Sequence, residues 1–261
     1  CQNVQKFDMN TVERHQIIID KIKKEGQVKV LALCEELKVS SVTIRKDLKF
    51  LEEKGLLFRA HGGATLLNPY TIDRPVNEKE KIHSSEKIRI GVAAAKMIES
   101  NDSILIASGT TVQAFARSIQ PKGNLTVITS ALNVALELIH HPQIEVVQLG
   151  GILRKSSSSV TGPYAKNILA DFSCSKLFLG VDGIDLEFGL TTANVMEAHL
   201  NRDMIRVSQK TIVLADSTKF GRRGFGKICN FDDIDEIITD KGISDYTARA
   251  LEEMGIKVTI V

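Results

Sequence analysis

Apolar positions recur every three or four residues from Glu13 to Lys24, where Ile17, Ile18 and Ile22 interrupt charge, so the spacing predicts an amphipathic helix. Glu25-Gly26-Gln27 ends it. Val28, Val30, Leu31, Leu33 and Leu37 fit a short strand-like pairing residue and a second helix, and Val39-Ser40 turns into a third. In that third helix Ile44, Leu48 and Leu51 share one face. Gly55 stops it, Leu56 to Arg59 reads as a strand, and Gly62-Gly63 as a turn. Helix, helix, turn, helix, wing is the order of a winged helix-turn-helix.

Farther on the pattern changes. Asn68 to Asn77 holds two prolines and no helical period, and reads as a linker. A helix is expected from about Glu78 to Glu99. Short apolar runs then alternate with helical stretches. The runs are Ser103–Ala107, Leu125–Thr129, Ile144–Leu149, Lys176–Val181, Thr211–Ala215, Ile234–Thr239 and Val258–Val261. Buried strands alternating with helices imply a mostly parallel sheet covered on both faces. The expected division is a winged helix-turn-helix over 9–67, a linker over 68–77 and an α/β domain over 78–261, with residues 1–8 showing no pattern.

The third helix carries Ser40, Ser41, Thr43, Arg45, Lys46 and Lys49 away from its apolar face. Hydroxyls and cations at a helix start suit base edges and phosphates in a major groove. Arg59, His61 and Gly62 extend this candidate surface into the wing. The formal charge of +2 hides a mild asymmetry. Residues 1–70 hold 12 Lys and Arg against 9 Asp and Glu, and the rest hold 22 against 23. That bias alone does not identify a nucleic-acid binder.

In the larger domain, small and charged residues gather where strands end, and there parallel sheets bind ligands. Ser108-Gly109-Thr110-Thr111 offers a glycine, hydroxyls and backbone N–H groups at a helix start, a fit for phosphate or carboxylate. Thr129-Ser130, Gly150-Gly151 with Arg154, Gly180 with Asp182, Gly183 and Asp185, Glu197, and Lys219 mark the other ends. There is no P-loop and no dinucleotide fingerprint. The run Ser156–Ser159 reads as a loop able to order over a ligand, and His199 as a neighbour of that pocket.

Thr43-Ile44-Arg45-Lys46-Asp47-Leu48, followed by Leu51-Glu52-Glu53-Lys54-Gly55-Leu56-Leu57-Phe58-Arg59-Ala60-His61-Gly62-Gly63-Ala64, resembles the TIRRDL and LExxGxLxRxHGGA signature of the DeoR family of transcriptional regulators. Ser108–Thr111, Thr129-Ser130, Gly150-Gly151, Leu179–Asp185, Gly189–Ala198 and Asp216–Gly221 resemble that family's sensor domain. Three positions depart from it: Lys46 stands where Arg is usual, Ala107 where Asp is usual, and Ser130 where Asn is usual. The resemblance covers about residue 12 to 261. It implies a ribose-5-phosphate-isomerase-like sensor fold and a repressor of a sugar-metabolism operon. The partners would be double-stranded operator DNA and a phosphorylated sugar that releases the protein from it. The SGTT turn would hold the phosphate, with Asp182, Asp185, Glu197 and Lys219 at the sugar end.

The same carboxylates and lysine support an alternative, a sugar-phosphate isomerase-like enzyme with an appended nucleic-acid-binding domain. A DNA-binding unit in the same chain favours sensing, so no catalytic residue, metal ligand or cofactor is assigned. The 43% hydrophobic and 25% charged residues are ordinary for a globular chain, and the four cysteines form no CxxC pair. A homo-oligomer, dimer or tetramer, in a reducing cytoplasm is expected, with no membrane partner.

Overall fold

The computed structural model describes residues 10–54, 56–60, 62–65 and 75–261. Residues 1–8, Gly55, His61 and linker residues 68–74 lie outside them. The chain divides into two compact units, residues 1–72 and 73–261.

Unit 1 runs α1 (Thr11–Glu25), β1 (Gln27–Lys29), α2 (Val30–Leu37), α3 (Ser41–Glu53), β2 (Phe58–Ala60) and β3 (Gly63–Thr65). The Asn10 side chain accepts from Glu13 N at 2.9 Å and caps α1. Ser40 caps α3 by accepting from Thr43 N at 3.1 Å. β3 pairs antiparallel with β1 and β2 alike. This pairing requires Gly63, because a Cβ there would stand 1.9 Å from the Val28 carbonyl oxygen. Ile18, Ile22, Leu33, Ile44, Leu48, Leu51 and Leu57 form the core, each 1% exposed or less.

Unit 2 opens with α4 (Val76–Glu80) and α5 (Ser84–Ala95), not the single helix expected from Glu78. His83 adopts a left-handed φ of 53° between them. The Lys87 ammonium donates to the Lys79 and Ile82 carbonyls, both at 2.6 Å, and so adds a charged donor to the backbone oxygens where α4 ends. The linker expected to run to Asn77 therefore gives way to helix at Val76, whose N–H donates to the Ser156 carbonyl at 2.7 Å.

The chain continues through β4 (Ser103–Ile106), α6 (Thr110–Arg117), β5 (Leu125–Thr129), α7 (Leu132–Leu138) and β6 (Ile144–Gln148). A hairpin of β7 (Ile152–Arg154) and β8 (Ser159–Thr161) leads to α8 (Pro163–Leu169) and β9 (Lys176–Gly180). Then come β10 (Gly183–Asp185), β11 (Gly189–Thr192), α9 (Val195–Arg206), β12 (Thr211–Leu214), β13 (Gly226–Cys229), β14 (Glu236–Thr239), α10 (Asp245–Glu253) and β15 (Lys257–Ile260).

Seven strands form one parallel sheet in the order β15-β14-β12-β9-β4-β5-β6. Alternate residues along its strands serve two cores. Ile104, Ile106 and Phe178 pack with Ile90, Phe115 and Val134 from α5, α6 and α7. Leu105, Leu177 and Leu179 pack with Leu169, Met204 and Leu251 from α8, α9 and α10. From β4 the chain proceeds to β5 on one side, and from β9 to β12 on the other. The reversal between β4 and β9 is a topological switch point, where a crevice opens beyond the strand ends.

Candidate functional sites

On α3, Ile44, Asp47, Leu48 and Leu51 face inward, 5% exposed or less. Val42, Arg45, Lys46 and Lys49 are exposed on the other side. Arg45 and Lys46 carry no hydrogen bond or ion pair among the described residues. Lys49 stands 3.8 Å from Glu53, a loose surface pair. Ser40 and Thr43 are engaged with each other, their hydroxyls 2.9 Å apart, so their first task is the cap. Arg59 is tied to Glu52, which accepts from its Nε at 2.6 Å and its backbone N–H at 2.8 Å. Gly62, at φ 76°, turns the wing, and its carbonyl accepts from Val30 N at 2.7 Å.

The buried Asp47 fixes this helix. Its carboxylate accepts from Arg14 Nε at 2.6 Å and Arg14 Nη2 at 3.0 Å, with His15 Nε2 3.0 Å away. Burial opposes ionisation, but these bonds and the Arg14 charge outweigh it and lower the Asp47 pKa. His15 also stacks on Phe50, with ring centroids 5.1 Å apart. α3 is thus clamped to α1 by charge as well as by its apolar seam.

In unit 2 the switch point holds a cavity enclosing about 540 Å³ including its mouth. Ser108, Gly109, Thr110, Thr111, Gly180, Asp182, Glu197 and Lys219 line it, as expected from the strand ends. Gly180 can only be glycine here, since a Cβ would meet the Ser108 carbonyl oxygen at 2.8 Å. Gly109, at φ 127°, turns the chain into α6 so that the N–H groups of its first turn head the helix.

Val76, Lys79, Ser156, Ser157, Val181 and Thr192 line the cavity too. Lys79 is the consequential addition. Its ammonium donates to Asp182 Oδ1 at 2.9 Å, while Thr192 Oγ1 and Ala193 N donate to Oδ2, each at 3.1 Å. Burial raises the Asp182 pKa, but the charges of Lys79 and Lys219 and these hydrogen bonds prevail and lower it to about 2. Glu197 accepts from the Ser108 hydroxyl and pairs with Arg154. Burial, with the Asp182 charge, still raises its pKa. Beneath α4, burial lowers the Lys87 pKa to about 8, with the charges of Lys219 and Lys79 adding to the effect.

Other expected residues lie off the cavity lining. Thr129 donates to the Ile106 carbonyl at 2.7 Å and accepts from Ala131 N at 3.0 Å, closing the end of β5. Ser130 is buried, and its carbonyl accepts from Val160 N at 2.8 Å. Gly150 and Gly151 start the β7–β8 hairpin, where a Cβ on Gly151 would meet the Thr161 carbonyl oxygen at 2.6 Å. Gly183 packs against the Arg222 carbonyl, and Asp185 caps the β10–β11 turn by accepting from Glu187 N and Phe188 N. Arg154 is not in the cavity lining, but it pairs with Glu197 and donates to the Ser156 hydroxyl at 3.3 Å, and both of those residues are. Ser156, read as part of a free loop, is held by α4 through its bond to Val76. His199 lines a separate, more open groove between α8 and α9 with Lys166, Met196, Arg202 and Arg206. That groove is larger, about 770 Å³, but contains none of the strand-end residues.

The two units correspond to two family descriptions. The DeoR-like helix-turn-helix domain matches residues 14–69, and the DeoR C terminal sensor domain matches residues 82–241. A protein described as a candidate aga operon transcriptional repressor in Escherichia coli O157:H7 is 37% identical over 253 residues, covering 96% of this chain and 94% of that one. The HTH-type transcriptional regulator GolR of Listeria innocua is 32% identical over 248 residues, covering 95% and 98%. The glycerol-3-phosphate regulon repressor of Escherichia coli K12 is 31% identical over 232 residues, covering 89% and 92%. Among solved structures, ribose 5-phosphate isomerase A of Methanocaldococcus jannaschii aligns at a TM-score of 0.39 and 14% identity, over 52% of this chain and 54% of that one.

Proposed function

Because the chain belongs to the DeoR family of transcriptional regulators, we propose that it represses a sugar-utilisation operon and leaves its operator when a phosphorylated sugar fills the unit 2 cavity. It is a regulator and not an enzyme, so the isomerase-like alternative is set aside. The carrying observation is the cavity itself: a glycine turn at a helix start lining the same cavity as Lys79 and Lys219, in a chain whose other unit is a helix-turn-helix. Backbone N–H groups and two cations form a cradle for a dianionic phosphate, and carboxylates and hydroxyls around it suit sugar hydroxyls.

Lys79 supplies a route from ligand to DNA. Its ammonium pairs with Asp182. A bound phosphate competes for that ammonium and draws on α4, the first helix after the segment that joins the units in sequence. A ligand that favours one position of α4 shifts the population away from the DNA-competent arrangement. The protein would work in the cytoplasm as a homo-oligomer, a dimer or tetramer, with each recognition helix reading one half-site.

The test is capture of genomic fragments by purified protein at near-physiological salt, with and without a panel of sugar phosphates. A few enriched sites, lost with one compound, are expected. Lys219→Ala should keep the sites and lose the response. Weak, sequence-blind binding by the unaltered protein would overturn the reading.

A further inference from the structure

We propose that Val42 is a specificity-determining residue that selects thymine through its C5-methyl group. The proposal rests on α3 being the helix that enters the major groove.

Successive helical residues advance by about 100°. With Ile44, Asp47, Leu48 and Leu51 turned inward, Val42 falls opposite them, among Arg45, Lys46 and Lys49. It is 59% exposed and belongs to no core cluster of unit 1. It also lies in the first turn of α3, and the N-terminal residues of a recognition helix are those that meet base edges. The other exposed apolar residue of α3, Phe50, already has partners: its ring stacks on His15 and its centroid lies 5.6 Å from the Lys54 ammonium. Val42 thus stands as an apolar point in a field of cations.

The major groove offers one apolar feature that varies with sequence, the thymine methyl. A valine suits it. Its branched side chain is stiff at χ1, so its methyl groups are presented with little ordering left to do on binding. The neighbouring cations bring the helix against phosphates and guanine edges, and Val42 then discriminates at the base pair it covers.

The full chain would first be used to select duplexes from a random library. In the best duplex each thymine would then be replaced singly by deoxyuridine, which lacks only the methyl, with affinities read by fluorescence anisotropy. One position per half-site should weaken binding roughly fourfold, the worth of one buried methyl group. Val42→Ser should bind the thymine and deoxyuridine duplexes equally, and Val42→Thr, keeping one methyl, should restore part of the difference. Circular dichroism melts should match for all three proteins, since the side chain is exposed. Tolerance of deoxyuridine at every position, or an equal loss in Val42→Ser, would overturn the proposal while leaving DNA recognition standing. A library that yields no preferred sequence would overturn the DNA-binding reading and this proposal with it.

Discussion

The two units hold their charged side chains in opposite ways. On α3, Arg45 and Lys46 carry no protein partner among the described residues. In the unit 2 cavity, Lys79 is bound to Asp182, and Glu197 to Ser108 and Arg154. The difference follows from water. Exposed cations lose little by waiting for a polyanion, because solvent and counterions satisfy them. Charges in a cleft are partly desolvated and must be matched in advance. A DNA surface is therefore ready as it stands, whereas the phosphorylated sugar proposed for the cavity would have to exchange protein bonds for its own. That exchange is what can report its arrival.

The contrast is broken most forcefully where unit 1 behaves like unit 2, at its buried pair. Asp47→Ala leaves Arg14, 8% exposed, without its carboxylate. Loss of one member of a buried pair costs about 3–5 kcal/mol. Unit 1 is small and should largely unfold, while unit 2 keeps its own transition. Two calorimetric transitions in the parent and one in the variant are expected; an unchanged pair of transitions would show that the apolar seam alone holds α3.

Arg45→Ala probes the free side of the comparison. If the guanidinium meets a base, the substitution costs about 1–3 kcal/mol on the selected sequence and little on random DNA. Stability should be unchanged, since Arg45 makes no hydrogen bond or ion pair among the described residues. Equal losses on both DNAs would assign Arg45 to phosphate.

Acid sharpens the other side. Asp182 has a pKa of about 2 in the folded protein, below its ordinary 3.8. A depressed carboxyl stabilises the fold above its unfolded value, and the gain is lost as pH falls from about 4 toward 2. The shift corresponds to about 2 kcal/mol. Lys79→Met removes a direct partner, so its urea-unfolding free energy should fall less steeply over that range than the parent's. Parallel curves would mean that the pair contributes nothing measurable.

The sheet was legible in sequence because its strands are short apolar runs, buried on both faces, and chain order alone proposes their parallel pairing. Leu125–Thr129 falls on the same residues in pattern and structure. The strand-end clusters were legible in part. Glycine and hydroxyl residues mark a chain turn whether or not a ligand follows, so Gly109 and Gly180, which line the cavity, look the same in sequence as Gly151 and Gly183, which let strands approach. Lys79 was hidden for a different reason. Between Glu78 and Glu80 it has the signature of a solvated helix start, and only the fold brings it to a carboxylate 103 residues away. Asp47 is not legible in sequence, because an acid among the cations of a recognition helix gives no local sign of facing a buried arginine.

Lys49 tests the weakest distinction, that between a free cation on α3 and one already paired. Its partner Glu53 is 3.8 Å away, and both side chains are more than half exposed. Such a pair contributes little, and alanine is the better helix former, so Lys49→Ala should leave the melting temperature of unit 1 within a degree or two. Its effect belongs to DNA. A lysine on a phosphate releases counterions, so the slope of log affinity against log salt should become less negative by about 0.9 for each recognition helix bound, alike on selected and random sequences. Arg45→Ala, acting at a base, should leave that slope alone. If Lys49→Ala also leaves it alone, Glu53 holds the lysine in the bound state as in the free one, and the outer face of α3 is less open than its exposure implies.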